Sequence, residues 1–140
     1  MIVPCSYNDG SSLGAPHRGN FYTERTVFHL VVGKNYVVAG LGIFETVLLA
    51  LVCDETGNPN WLPVGLFDFA GNSIPDDWEF ALFDGVAASG GAAGHRWVAR
   101  WGYRQLVRDP RHSDALIERD PHALAIYFAE VAKFSDESDC

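Results

Sequence analysis

Basic side chains are scarce in this 140-residue chain. Ten Lys and Arg stand against 18 Asp and Glu, for a net charge of −8. Non-specific nucleic-acid binding relies on a basic field, so the balance counts against that class. Cysteine is scarce as well. Cys5, Cys53 and Cys140 are odd in number and form no Cys-x-x-Cys pair, which speaks against a disulfide framework or a zinc knuckle. Cys53 closes an apolar run and reads as a small buried hydrophobe. The first residues lack the basic start and apolar run of a secretory signal, so the cytoplasm is the expected compartment. The histidines (His17, His29, His95, His112 and His122) show no His-x-x-x-His or His-Glu-x-x-His spacing. No Gly-x-Ser-x-Gly elbow occurs. The sequence thus carries no catalytic signature, and no catalytic residue, metal ligand or cofactor is expected.

Apolar material is plentiful. At 48% hydrophobic and 13% aromatic, one domain of this length can bury a core. One run needs care. Residues 36–53 hold 14 apolar positions in 18, close to the length of a membrane span. Glu45 lies in the middle, where a charge would cost roughly 3 kcal/mol at a bilayer centre. Gly40 and Gly42 interrupt the run, and β-branched residues are frequent. Two buried strands, 36–43 and 46–53, joined by a turn near Phe44 and Glu45 fit better than a membrane helix.

The remaining pattern divides the chain. Residues 1–22 are rich in turn formers and read as a loop segment. Residues 23–85 read as short strands at 26–32, 36–43, 46–53, 61–69 and 78–83, with Pro63 suiting an edge strand. Residues 86–94 form a Gly/Ala-rich connection. Residues 95–134 read as helices: 95–108, then 113–119 with Ser113 as N-cap, then one from Pro121 to about Lys133. Asp120 caps the last, and Leu124, Phe128, Val131 and Ala132 share its apolar face. Residues 135–140 read as a frayed tail. The expected fold class is α+β: a small antiparallel curled sheet or SH3-like barrel followed by two or three C-terminal helices, all one domain.

Charge follows the same division. Residues 1–85 hold ten acids and three bases, for −7, while 86–140 hold eight acids and seven bases, for −1. Asp54 and Glu55 share one turn; Asp76, Asp77 and Glu79 share another; Trp61 and Trp78 sit beside them. Aromatics flanked by carboxylates can make a hot-spot surface for a basic partner. These seven residues are the candidate partner-binding set. Arg96, Arg100, Arg104 and Arg108 recur every four residues. On a helix they form a basic stripe beside Trp97 and Trp101, serving either an anion or the acidic half of the same chain.

Four segments carry a resemblance: Gly33-Lys34-Asn35-Tyr36-Val37-Val38, Leu51-Val52-Cys53-Asp54, Trp61-Leu62-Pro63-Val64-Gly65-Leu66-Phe67 and Ile74-Pro75-Asp76-Asp77-Trp78-Glu79-Phe80. With Trp101-Gly102-Tyr103, Asp109-Pro110 and Ala115-Leu116-Ile117-Glu118-Arg119, they resemble a group of small, uncharacterised bacterial proteins. The likeness spans about residues 30–134. It implies an SH3-like barrel with appended helices, in proteins that look like immunity proteins of bacterial toxin systems. The expectation is therefore a non-enzymatic binding module that neutralises a basic partner such as a toxin domain, without membrane or nucleic acid. Two other readings stay open: a small-ligand protein or enzyme with a pocket around Trp61, Trp78 and Trp97, and nucleic-acid binding through the arginine stripe.

Overall fold

The computed structural model describes residues 1–19, 21–83 and 97–134. Six antiparallel strands form one sheet: β1 (Ile2–Pro4), β2 (Asn35–Phe44), β3 (Val47–Cys53), β4 (Pro59–Pro63), β5 (Glu79–Leu82) and β6 (Trp97–Gly102). Four helices accompany it: α1 (Ala15–Arg18), α2 (Arg104–Arg108), α3 (Pro110–Ile117) and α4 (Pro121–Ala132). The fold is α+β. The order across the sheet is β4-β3-β2-β6-β5, and β1 pairs with the first residues of β2. Among the described residues no ladder joins β4 to β5, so the sheet is curled and unclosed and no barrel forms.

The β2–β3 hairpin turns at Glu45 and Thr46, where Glu45 takes a positive φ of 54°. The run 36–53 is thus two strands, and no helix among the described residues is long and apolar enough to cross a membrane. β4 carries Pro59 and Pro63 on a sheet edge, where a missing N–H costs no ladder bond on the outer side.

Three expectations need correction. Residues 26–32 are not a strand; a single bridge, Asp9 to Val27, is all the pairing they make. Their alternation is real, with Phe28 and Leu30 buried and Val27 and Val31 exposed. The segment lies on the sheet as a covering layer, and the Tyr36 hydroxyl accepts the Val31 N–H at 2.8 Å in place of a neighbouring strand. The first 22 residues are more than loop, since β1 extends the sheet and Val3, Cys5 and Leu13 are buried.

The largest correction is at 95–108. Trp97–Gly102 is a strand between β2 and β5, and only Arg104–Arg108 is helical. A spacing of four residues returns to the same side in a helix and in a strand, so the Arg and Trp repeats did not discriminate. Gly102, at φ 156°, ends the strand. α3 also starts earlier than expected. Asp109 caps it, its carboxylate accepting the Arg111 N–H, and Pro110 follows at the first helical position. Asp120-Pro121 does the same for α4, as expected. The buried face of α4 is Ala123, Tyr127 and Val131, whereas Leu124 and Phe128 are half-buried and Ala132 is exposed.

Two cores result. Leu49, Leu51, Trp61 and Trp97 meet Leu106, Leu116 and Tyr127 between the sheet and α2–α4. On the opposite face Val38, Ala50, Val52 and Leu62 meet Val3, Leu13, Phe28 and Phe67. Close approach on the helix side depends on β2 glycines. A Cβ on Gly42 would lie 2.6 Å from the Trp97 ring. Gly42→Ala should therefore lower stability by about 1–3 kcal/mol through overpacking, measured as a reduced urea midpoint with an unchanged slope.

Candidate functional site

The seven candidate residues separate in three dimensions. Asp54 is 5% exposed, and its carboxylate accepts the Thr56 N–H at 2.9 Å, the Thr56 hydroxyl and the Asn60 amide at 3.0 Å. It holds the β3–β4 turn together. Glu55 pairs with Lys34, 2.9 Å away. Trp61 is 9% exposed and donates its indole N–H to the Ser113 hydroxyl at 3.0 Å. Ser113, expected to cap a helix, is this buried acceptor. Glu79 faces α2, with Arg104 at 3.4 Å and Arg108 at 2.6 Å. Trp78 is half-buried against the second core. Asp76 and Asp77 are exposed and make no ion pair within 4 Å among the described residues.

The three tryptophans of the pocket reading do not converge. Trp61 and Trp97 stack on each other with ring centroids 4.6 Å apart on the helix side, while Trp78 packs on the other face. The arginine stripe is likewise dispersed. Arg104 and Arg108 hold Glu79, and Arg100 is 0% exposed with its guanidinium 4.3 Å from the Trp97 ring centroid. Burial lowers the Arg100 pKa to about 10, opposed by the nearby Asp114 carboxylate, so the group stays charged at neutral pH. Arg96, His95 and the 86–94 connection lie outside the described residues, as does the 135–140 tail.

Two further features were not legible in the sequence. The first is a buried contact between the Tyr103 hydroxyl and His112 Nε2 at 2.6 Å. Burial keeps Tyr103 protonated, so it can donate to a neutral imidazole. Burial also pushes the His112 pKa down; Asp109 raises it, and Arg100 and His122 lower it further. Both side chains are buried in the helix-side layer, each 4% exposed. An open cleft of about 540 Å³ lies elsewhere, lined by Ala15, Arg18, Tyr22, Thr23, Glu24 and Arg25. Among the described residues no three His, Cys, Asp or Glu side chains gather as a metal site.

The second feature is an exposed apolar strip. Phe80 is 51% exposed and Leu82 is 72% exposed, both on β5. Phe80 stacks on Trp101 with centroids 4.7 Å apart, and Ile74 is exposed in the loop before them. Trp101 reaches this face because Val98 is an extra residue in β6. Phe44 pairs with Trp97 and Ile43 with Ala99, so the bulge shifts the alternation between the two tryptophans. The N-terminal segments cover this face over β3 and β4, while Phe80 and Leu82 on β5 stay exposed. Asp76 and Asp77 precede that strip by a few residues. The candidate surface is therefore segment 74–82 with Trp101, in place of the dispersed seven.

No protein-family model, curated protein or solved structure matches this chain.

Cys53 is buried in the helix-side core, as its apolar run predicts, and is also disulfide-bonded, whereas Cys5 is a free buried thiol.

The His112 contact has a consequence for acid stability. Unfolded, the imidazole titrates near 6.5; folded, its value is lower. The unfolded chain binds the proton first, so this stabilisation is complete above 6.5 and is lost as pH falls through the folded value. Denaturant midpoints taken from about pH 7.5 to about pH 5.5 should decline, and His112→Gln should flatten that decline.

Proposed function

We propose that this chain is a non-enzymatic protein-binding module, an immunity protein that neutralises a basic bacterial toxin through an acidic, aromatic-bearing surface. The observation that carries the reading is the segment 74–82. It carries exposed Ile74, Phe80 and Leu82 together with exposed Asp76 and Asp77, which among the described residues make no ion pair within 4 Å. Rings and aliphatic groups provide area to desolvate, and carboxylates steer a basic partner into place. Of the seven candidate residues, Asp76, Asp77, Trp78 and Glu79 lie within this segment. Glu55 and Glu79 are held by bases of the same chain, and Asp54 and Trp61 support the fold beneath.

The test uses the product of a toxin-like reading frame adjoining the gene. Cells producing it should survive when this chain is co-expressed. Asp76→Lys with Asp77→Lys should slow association about tenfold at low salt, with a smaller effect at high salt. Protection indifferent to those reversals and to Phe80→Ala would overturn the assignment of this face.

The cytoplasm is the compartment this proposal assigns. The disulfide at Cys53 points the other way, because such bonds persist in oxidising compartments. Alkylation of unreduced cells under denaturing conditions, which expose the buried Cys53, separates the two. Labelling of Cys53 supports the cytoplasm, and protection until reductant is added overturns it.

A further inference from the structure

β5 ends the described sheet, and no described strand pairs with its outer edge. The Phe83 N–H donates to the Val98 carbonyl at 2.8 Å, which sets the phase of the ladder. Backbone groups alternate sides along an antiparallel strand, so Glu79, Ala81 and Phe83 address β6. The N–H and C=O of Phe80 and Leu82 therefore project outward, and among the described residues neither has a backbone partner. Edge strands are ordinarily guarded by Lys, Pro, a bulge or an inward charge. Glu79–Leu82 carries none of these free to act. Its one charge, Glu79, is turned toward α2 and held by Arg104 and Arg108.

We infer that the partner of the proposed interaction binds by adding an extended, basic segment as a further strand along β5. The inference rests on the reading of segment 74–82 as the binding surface and names how that surface is used. Two N–H and two C=O groups supply the ladder, and alternate partner side chains pack on Phe80 and Leu82, with Trp101 behind. Charge selects the occupant. A second copy brings another −8 to an edge already flanked by Asp76 and Asp77, whereas a Lys- or Arg-bearing segment brings the complementary sign.

The experiment selects a randomised library of short displayed peptides on the full chain and measures the enriched sequences, synthesised, against variants. Leu82→Pro removes an outward N–H and leaves the β6 ladder bonds in place; Leu82→Ala removes only side-chain area. Slow amide exchange at Phe83 verifies that the variant keeps its sheet, and Phe80→Pro replaces it if the sheet is lost.

The expected result has several parts. Enriched peptides alternate basic and apolar residues. They lose about tenfold to a hundredfold in affinity on Leu82→Pro, and less on Leu82→Ala. They also slow amide exchange at Phe80 and Leu82. Equal affinity for the proline variant and the wild type, or unchanged exchange at those two amides, overturns strand addition. If such peptides still weaken on Asp76→Lys with Asp77→Lys, the acidic-surface reading survives that failure. If no peptide is enriched, or if enriched peptides ignore every substitution, both are overturned.

Discussion

The helix-side core depends on the absence of a side chain at Gly42. Trp97 occupies the space where a Cβ would stand, and Leu106 does the same above Gly40, where a Cβ would be 2.3 Å away. From that seat Trp97 reaches Trp61 at 4.6 Å, Phe44 at 5.1 Å and the Arg100 guanidinium at 4.3 Å. Trp61 in turn donates to Ser113 of α3. One indole therefore sets β6 against β2, ties β4 to both, and aligns α3 over the sheet. Arg119 reinforces the same joint, donating to the Pro59 carbonyl at 2.6 Å and to the Asn60 side chain at 2.9 Å. Close packing of this kind tolerates little change in volume, because neighbours cannot relax without moving several elements at once.

The same arrangement decides what the charges do. A buried guanidinium is costly unless its environment compensates. Arg100 has the Trp97 and Phe83 ring faces, a long hydrogen bond to the Leu106 carbonyl at 3.4 Å and the field of Asp114. Its Nε and Nη2 have no hydrogen-bond partner among the described residues. Arg104 and Arg108 draw Glu79 to the helix side. Asp9, Asp109 and Asp120 are absorbed in capping, and Asp54 in a turn. The concentration of acid in the first 85 residues is thus partly answered within the chain. What is left toward solvent near the β5 edge is Asp76 and Asp77, beside apolar side chains that no described element covers.

Legibility tracked how local the cause was. The β2–β3 hairpin followed from β-branched runs and a short turn. α4 followed from Asp120-Pro121, because a cap and a preset φ act within one turn. The edge placement of β4 followed from Pro63. The same Asp-Pro grammar stands at 109–110 and opens α3, whereas Ser113 resembles a cap locally but its hydroxyl is claimed by a tryptophan 52 residues away. The candidate residues fared similarly. The exposure of Asp76 and Asp77 suits their Pro-flanked loop, but the burial of Asp54 depends on Asn60 and on packing around the turn. Phe80 and Leu82 were legible as strand residues. That their strand ends the sheet was not.

The chain by itself determined some of its local structure: the β2–β3 hairpin, the Asp-Pro opening of α4, and the excess of acid over base in the first 85 residues. Those properties arise from neighbouring side chains and backbone preferences. Tertiary structure alone decided that Trp97–Gly102 is an inner strand, that the bulge at Val98 sends Trp97 and Trp101 to opposite faces, and that no described strand lies outside β5. A spacing of four residues satisfies both helix and strand, so only the fit of Trp97 over Gly42 could select between them. Whether a strand is inner or outer is a property of its neighbours, and no residue within the strand encodes it.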